Sequence, residues 1–139
     1  MKLLINFIFV ITFSVGHISV SVAQKNQKKA KQIESIKFAY ISGRLDLNAK
    51  ESQEFWPLYK RYQSEFNQLL AEKRENRLAN KDNPDKAVDD DLYFDERLLE
   101  LKKKYRITFG KILPSEKLKR LYQAERDFRN ELIKQLKNR

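Results

Sequence analysis

Residues 55–70, FWPLYKRYQSEFNQLL, decide how this chain folds. Phe55, Tyr59, Tyr62, Phe66, Leu69 and Leu70 recur at steps of three and four, the spacing that aligns side chains along one face of an α-helix. A half-buried strand would alternate with period two; here Lys60, Arg61, Ser64 and Glu65 fall where the wet side of a helix belongs. Pro57 stands inside the pattern. An interior proline removes a backbone hydrogen bond and costs about 3 kcal/mol, so it is predicted to kink this helix or delay its start.

Outward from this stretch the same period repeats. Asn48 can cap the helix, with Glu51 three residues on returning the bond as in a capping box, and the pattern continues to about Asn80. Before it, Ile33, Ile36, Tyr40 and Ile41 mark a helix from about Lys28 to Gly43, where glycine is a natural stop. Beyond it, residues 80–86 (NKDNPDK) read as a turn, and Leu92, Leu98 or Leu99, Tyr105 and Phe109 mark a third helix from about Val88 to Ile112. Asp89, Asp90 and Asp91 sit in its first turn, where carboxylates suit the helix dipole and lack the spacing of a calcium loop. After Leu113-Pro114-Ser115-Glu116, the residues Leu118, Leu121, Phe128, Leu132 and Leu136 carry a fourth helix to the C-terminus.

The N-terminus reads differently. Met1-Lys2, the apolar run Leu3 to Val15, and the small residues Ser21 and Ala23 have the layout of a secretory leader cleaved after residue 23. An uncleaved anchor is the alternative, since Leu3 to Val22 is about the 20 residues that span a bilayer. Gly16, His17, Ser19 and Ser21 weigh against it. The expected organisation is a leader at 1–23, a basic flexible tail at 24–32 and a helical domain at 33–139, in the periplasm. Lys25, Lys28, Lys29 and Lys31 of the tail could touch anionic lipid weakly.

Past residue 23 the chain holds one Val, one Thr and two Gly, while Leu, Lys, Glu, Gln and Arg abound, so the fold is predicted to be all-α. It also holds no Cys, His or Met. Zinc, haem, iron–sulfur and Cys/His nucleophilic chemistry thus lack their usual residues, and neither cofactor nor metal is expected. The serines lack any G-x-S-x-G context. Glu125 lies between Leu121 and Phe128 on the apolar side of the last helix, and such a carboxylate is expected to pair with Arg44 or another Arg near a helix end. No enzyme is expected.

Residues 24–139 carry 28 basic and 19 acidic side chains with 13 aromatic ones, a composition suited to long-range attraction of acidic partners and tolerant apolar contact. Nucleic acid is not the expected partner, because the chain reads as exported and shows no helix-turn-helix or basic-zipper pattern. The stripe Phe55, Tyr59, Tyr62, Phe66 is expected to be core, with Leu121, Glu125, Phe128 and Leu132 opposite it. Trp56, Leu58, Tyr93, Phe94 and Tyr122 fall off such stripes and are candidates for exposed or dimer-facing apolar surface.

Two breaks share one layout: Leu47-Asn48-Ala49-Lys50-Glu51 and Leu113-Pro114-Ser115-Glu116-Lys117 each put Leu before a helix start and a long polar side chain soon after. They resemble the LTxxQ motifs of the Spy/CpxP family of periplasmic proteins, with Asn48 and Pro114 in place of Thr and Glu51 and Lys117 in place of Gln. Residues 54–59 and 124–129 are similar to the Bacteroidetes branch labelled sensors of ECF-type sigma factors. The resemblance implies a bent four-helix hairpin that pairs into a cradle-shaped homodimer and holds unfolded proteins on a basic, partly apolar face without ATP. Trp56, Lys60, Arg61, Tyr122, Arg126 and Arg129 are the candidate client-binding residues. The alternative function is a regulatory protein that binds one envelope-stress signalling partner.

Overall fold

A computed structural model of the chain describes residues 18–138, with side chains from residue 24 onward except residue 26. Four helices follow one another: α1 (Ile18–Leu45), α2 (Ala49–Ala79), α3 (Pro84–Gly110) and α4 (Ser115–Lys137). The fold is all-α, with no strand among the described residues. Residues 1–17, most of the expected leader, lie outside those described.

The described residues divide into two units, with the boundary between Phe38 and Ala39. In the first, residues 24–32, expected as a tail, belong to α1, and their described side chains are exposed. The second holds the end of α1 with α2, α3 and α4.

α1 does not stop at Gly43. It continues to Leu45, because Ile41 and Leu45 are fully buried and their packing carries the helix past the glycine. The turn is made instead by Asp46, at φ 48°, a residue type that tolerates the left-handed region better than most. α2 opens as its sequence indicates: Asn48 accepts from the Glu51 backbone N–H and Glu51 Oε2 accepts from the Asn48 N–H, both at 2.9 Å. Pro57 does not delay the start, since this reciprocal cap fixes Ala49 as the first helical residue and Phe55 and Tyr59 are buried on either side of it.

α3 begins four residues earlier than expected. Asn83 caps it by accepting from the Lys86 N–H at 3.2 Å, and Pro84 takes the first turn, where its missing N–H costs nothing. α4 starts at Ser115 behind Pro114, with no side-chain cap.

The core is a stack of aromatic rings between α2 and α3. Ring centroids lie 5.4 Å apart for Phe55 and Phe109, 5.1 Å for Tyr62 and Tyr105, and 5.8 Å for Tyr62 and Phe109. Leu69 extends the α2 side of this stack, and Phe94, Leu98 and Leu101 extend the α3 side. Leu121 and Ala124 of α4 and Leu113 of the preceding turn complete the buried set with Ile41 and Leu45. Phe94, expected at the surface, is thus core, and Leu98 rather than Leu99 faces inward. Phe66, Glu125, Phe128 and Leu132 are only half-buried, and Leu70, Leu92 and Leu136 are exposed. The reason is shared: two helices cover only a narrow stripe, so residues at its edges and beyond the last crossing stay wet.

Tyr62 touches four rings of this stack. Tyr62→Ala is expected to destabilise the fold by about 3 to 5 kcal/mol, read as a fall in urea midpoint with the helical circular-dichroism spectrum retained below the transition.

Candidate interaction surface

The two turns that look alike in sequence meet in space. Lys117 Nζ donates to Glu51 Oε2 at 2.6 Å, across 66 residues, and also to the carbonyl of Asp46 at 2.5 Å. Only 21% of the Lys117 side chain and 12% of the Glu51 side chain are exposed, so this pair is shielded where surface pairs are not. One carboxylate therefore does two jobs: it closes the cap of α2 and anchors the start of α4. The Glu51 carboxyl lies below the usual range because of these bonds, Lys117 first and the Asn48 N–H second. Leu47 is half-buried and Leu113 buried beside the junction, while Asn48, Pro114, Ser115 and Glu116 are exposed.

Farther along, α2 and α4 share a polar bridge. Tyr59 O–H donates to Glu125 Oε1 at 2.9 Å, and Gln63 Nε2 donates to the same oxygen at 3.2 Å. Arg44 does not take the expected role at Glu125. Its guanidinium sits 3.4 Å from Asp127 and donates to the Tyr40 hydroxyl at 2.8 Å, on the face where Tyr40 meets Phe128. Burial, and then the Glu125 charge, push the Tyr59 and Tyr62 hydroxyls far above the ordinary tyrosine value. Tyr105, bonded to Glu65 at 2.6 Å, is pushed up to about 12 by burial first and that bond second.

The acidic run is employed differently from its predicted use. Because α3 starts at Pro84, Asp89 to Asp91 lie beyond its first turn and away from the positive end of the dipole. Asp91 accepts from Arg77 at 2.9 and 3.1 Å and lies 3.5 Å from Lys73, which also reaches Asp95 at 2.5 Å. Asp90 accepts from Asn80 at 2.6 Å and from Lys86. These bonds tie the far ends of α2 and α3 together. Arg77, in the last turn of α2, and Asp91 could have been paired by register once the turn length was known; the sequence alone did not fix it.

The six candidate contact residues are shared between α2 and α4. Tyr122 is half-buried and lies against the α2–α3 pair, its hydroxyl 3.4 Å from the Lys102 carbonyl. Arg126 and Arg129 follow it on α4 and are exposed, with the Arg129 charge close enough to act on the Tyr62 hydroxyl. Arg61 is exposed elsewhere, near Glu65 and Tyr105. Trp56 is half-buried, its ring edge-on to Phe55 and Tyr59, and Lys60 follows it one turn later. Tyr93 is half exposed at 50%.

Two open clefts accompany this surface. One is lined by Glu65, Glu72, Arg97 and Glu100, the other by Tyr40, Arg44, Asp127 and Lys134. Among the described residues no group of Asp, Glu, His or Cys is placed to hold a metal, and no helix is long and apolar enough to cross a membrane. Comparison with protein-family models, curated proteins and solved structures finds no match to this chain.

The tyrosine bridge sets a pH limit. Above the ordinary tyrosine value of about 10, unfolded chains lose protons that folded Tyr59 and Tyr62 retain, so stability must fall as pH rises through that value. Tyr59→Phe is expected to cost about 1.5 to 3 kcal/mol at neutral pH, the range for a hydrogen bond to a charged group, and to make the alkaline decline shallower. Urea titrations at pH 7 and above 10 measure both.

Proposed function

We propose that the protein acts outside the cytoplasm as an ATP-independent holdase, capturing unfolded or aggregation-prone proteins through basic and apolar contacts. One observation carries this reading. The outer side of α4 presents Tyr122, Arg126, Arg129 and Ile133 at helical spacing, with both arginines exposed and Ile133 45% exposed. Charge there draws a partner from a distance, and the flat apolar groups accept many shapes once it arrives. The leader-like residues 1–23 support an exported protein, and without Cys its fold forms no disulfide. The paired turns at Leu47–Glu51 and Leu113–Lys117 support the likeness to the Spy/CpxP proteins, whose implied function is the same.

The test is suppression of aggregation for several unrelated denatured proteins, at near-stoichiometric ratios and two salt concentrations. Suppression of most clients, weakening with salt, is the expected result. Arg126→Glu with Arg129→Glu should retain the fold and lose most of the suppression, while Lys60→Glu with Arg61→Glu should lose less, because those two side chains diverge around α2. Failure with every client, together with tight binding to one folded envelope protein, would contradict the holdase and favour the regulatory reading.

A further inference from the structure

The α2–α3 hairpin extends past the helix that lies on it. Tyr62 meets Tyr105, Lys73 meets Asp95 and Arg77 meets Asp91, so the two helices run antiparallel, with Leu70 level with Leu98 and Leu99 and Leu78 level with Asp90. α4 bonds to this pair at Glu51, Tyr59, Gln63 and Lys102, and farther along it meets Tyr40 and Arg44 of α1. Beyond those contacts the same side of the hairpin carries apolar residues that the fold leaves uncovered.

On α3, Val88, Leu92 and Leu99 are 60%, 64% and 51% exposed. At about 100° per residue they form one stripe, set roughly 120° around the helix from the buried Phe94, Leu98, Leu101 and Tyr105 and on the side of Lys102. On α2, Leu70 and Leu78, 42% and 66% exposed, fall on the side of Gln63, which reaches Glu125 of α4. All five therefore lie on the side of the hairpin that α4 occupies nearer its base. Single exposed leucines are ordinary, but five apolar residues on one side of two paired helices are a face.

The charge beside this face is opposite to that of the chain. The sequence carries 29 basic and 19 acidic residues, yet residues 84–100 hold seven acidic and two basic. Asp90, Asp91 and Asp95 are neutralised within the hairpin by Lys86, Arg77 and Lys73. Asp85, Asp89 and Glu96 border the uncovered stripe along the outer edge of α3, all exposed and none in an ion pair among the described residues. Arg74 borders the α2 edge. An apolar face beside three unpaired carboxylates favours a guest that is both apolar and basic.

We propose that the face of Leu70, Leu78, Val88, Leu92 and Leu99 is a second capture site, taking apolar client segments that carry lysine or arginine, the segments that the arginines of α4 repel. This rests on the holdase reading and extends it to a class of client. Val88 to Leu99 spans about 16 Å at 1.5 Å per residue, room for about five residues of extended chain. Such a segment covers the exposed leucines with its apolar side chains and sets its cations beside Asp85, Asp89 and Glu96. With two sites of opposite sign the protein holds segments of either charge, which the basic face of α4 alone does not.

The experiment is fluorescence anisotropy of two labelled peptides, one of leucine and lysine and one of leucine and glutamate, titrated with the purified protein at low and high salt. The leucine–lysine peptide is expected to bind, and to bind more weakly at high salt. Leu92→Ser with Leu99→Ser, at exposed positions that leave the core and the urea midpoint intact, should weaken its binding about tenfold, and Asp89→Lys with Glu96→Lys at least as much. Arg126→Glu with Arg129→Glu should not weaken it, but should weaken binding of the leucine–glutamate peptide. No binding of the leucine–lysine peptide, binding unchanged by either α3 variant, or an equal loss in the α4 variant would each overturn the proposal. So would a sedimenting mass above a single chain that the peptide leaves unchanged and Leu92→Ser with Leu99→Ser abolishes, since a second copy would then cover the face. Failure of the unaltered protein to suppress aggregation counts against the holdase reading alone, because the peptides report on the face directly.

Discussion

Lys117 joins two places that the chain separates by 66 residues. Its ammonium takes one oxygen of Glu51, whose carboxylate already closes the cap of α2, and the carbonyl of Asp46, which turns the chain at φ 48°. The entry into α2 and the entry into α4 are thereby fixed against each other. Beyond that link α4 is held by the buried Leu121 and Ala124, the bridge to Glu125, and the edge contacts of Tyr122, Asp127 and Phe128, while the rest of its described length is exposed or half-buried. A cation shared between a helix cap and a turn carbonyl is a small device, but it stands where the core is thinnest.

Above the junction, packing changes character. Aromatic rings fill the space between α2 and α3 to about the level of Phe66, and ion pairs of Lys73 and Arg77 with Asp91 and Asp95 take over toward the connecting turn. Large flat rings suit a two-helix layer, since each buries much area with few rotatable bonds. The same thinness leaves the outer sides of α3 and α4 uncovered, and the sequence has placed apolar and charged residues there in alternation. A narrow core and an extended contact surface are consequences of one architecture.

Much of this was legible in the sequence, and the exceptions have physical causes. The period of Phe55 to Leu69 and the Asn48/Glu51 cap gave α2 to within a residue, because both signals are local. Gly43 misled: a local stop signal yielded to the burial of Ile41 and Leu45, which only the tertiary fold supplies. Phe94 was misplaced and Leu98 or Leu99 left open because the stripe was drawn through Leu92; Phe94, Leu98, Leu101, Tyr105 and Phe109 repeat at steps of three and four, and burial against α2 selects that phase. The Glu125 partners also needed three dimensions: Tyr59 and Gln63 lie on the helix opposite, while the anticipated Arg44 is held by Asp127 and Tyr40. The likeness of the two turns was visible as pattern; that Glu51 and Lys117, the two residues departing from the motif, bond to each other was not.

A double-mutant cycle on Glu51→Gln and Lys117→Met, followed by urea unfolding at neutral pH, tests that bond directly. If Lys117 and Glu51 hold the two turns together, each single change lowers stability and the double change costs clearly less than their sum. Strict additivity, or stability unchanged by Lys117→Met, would contradict it.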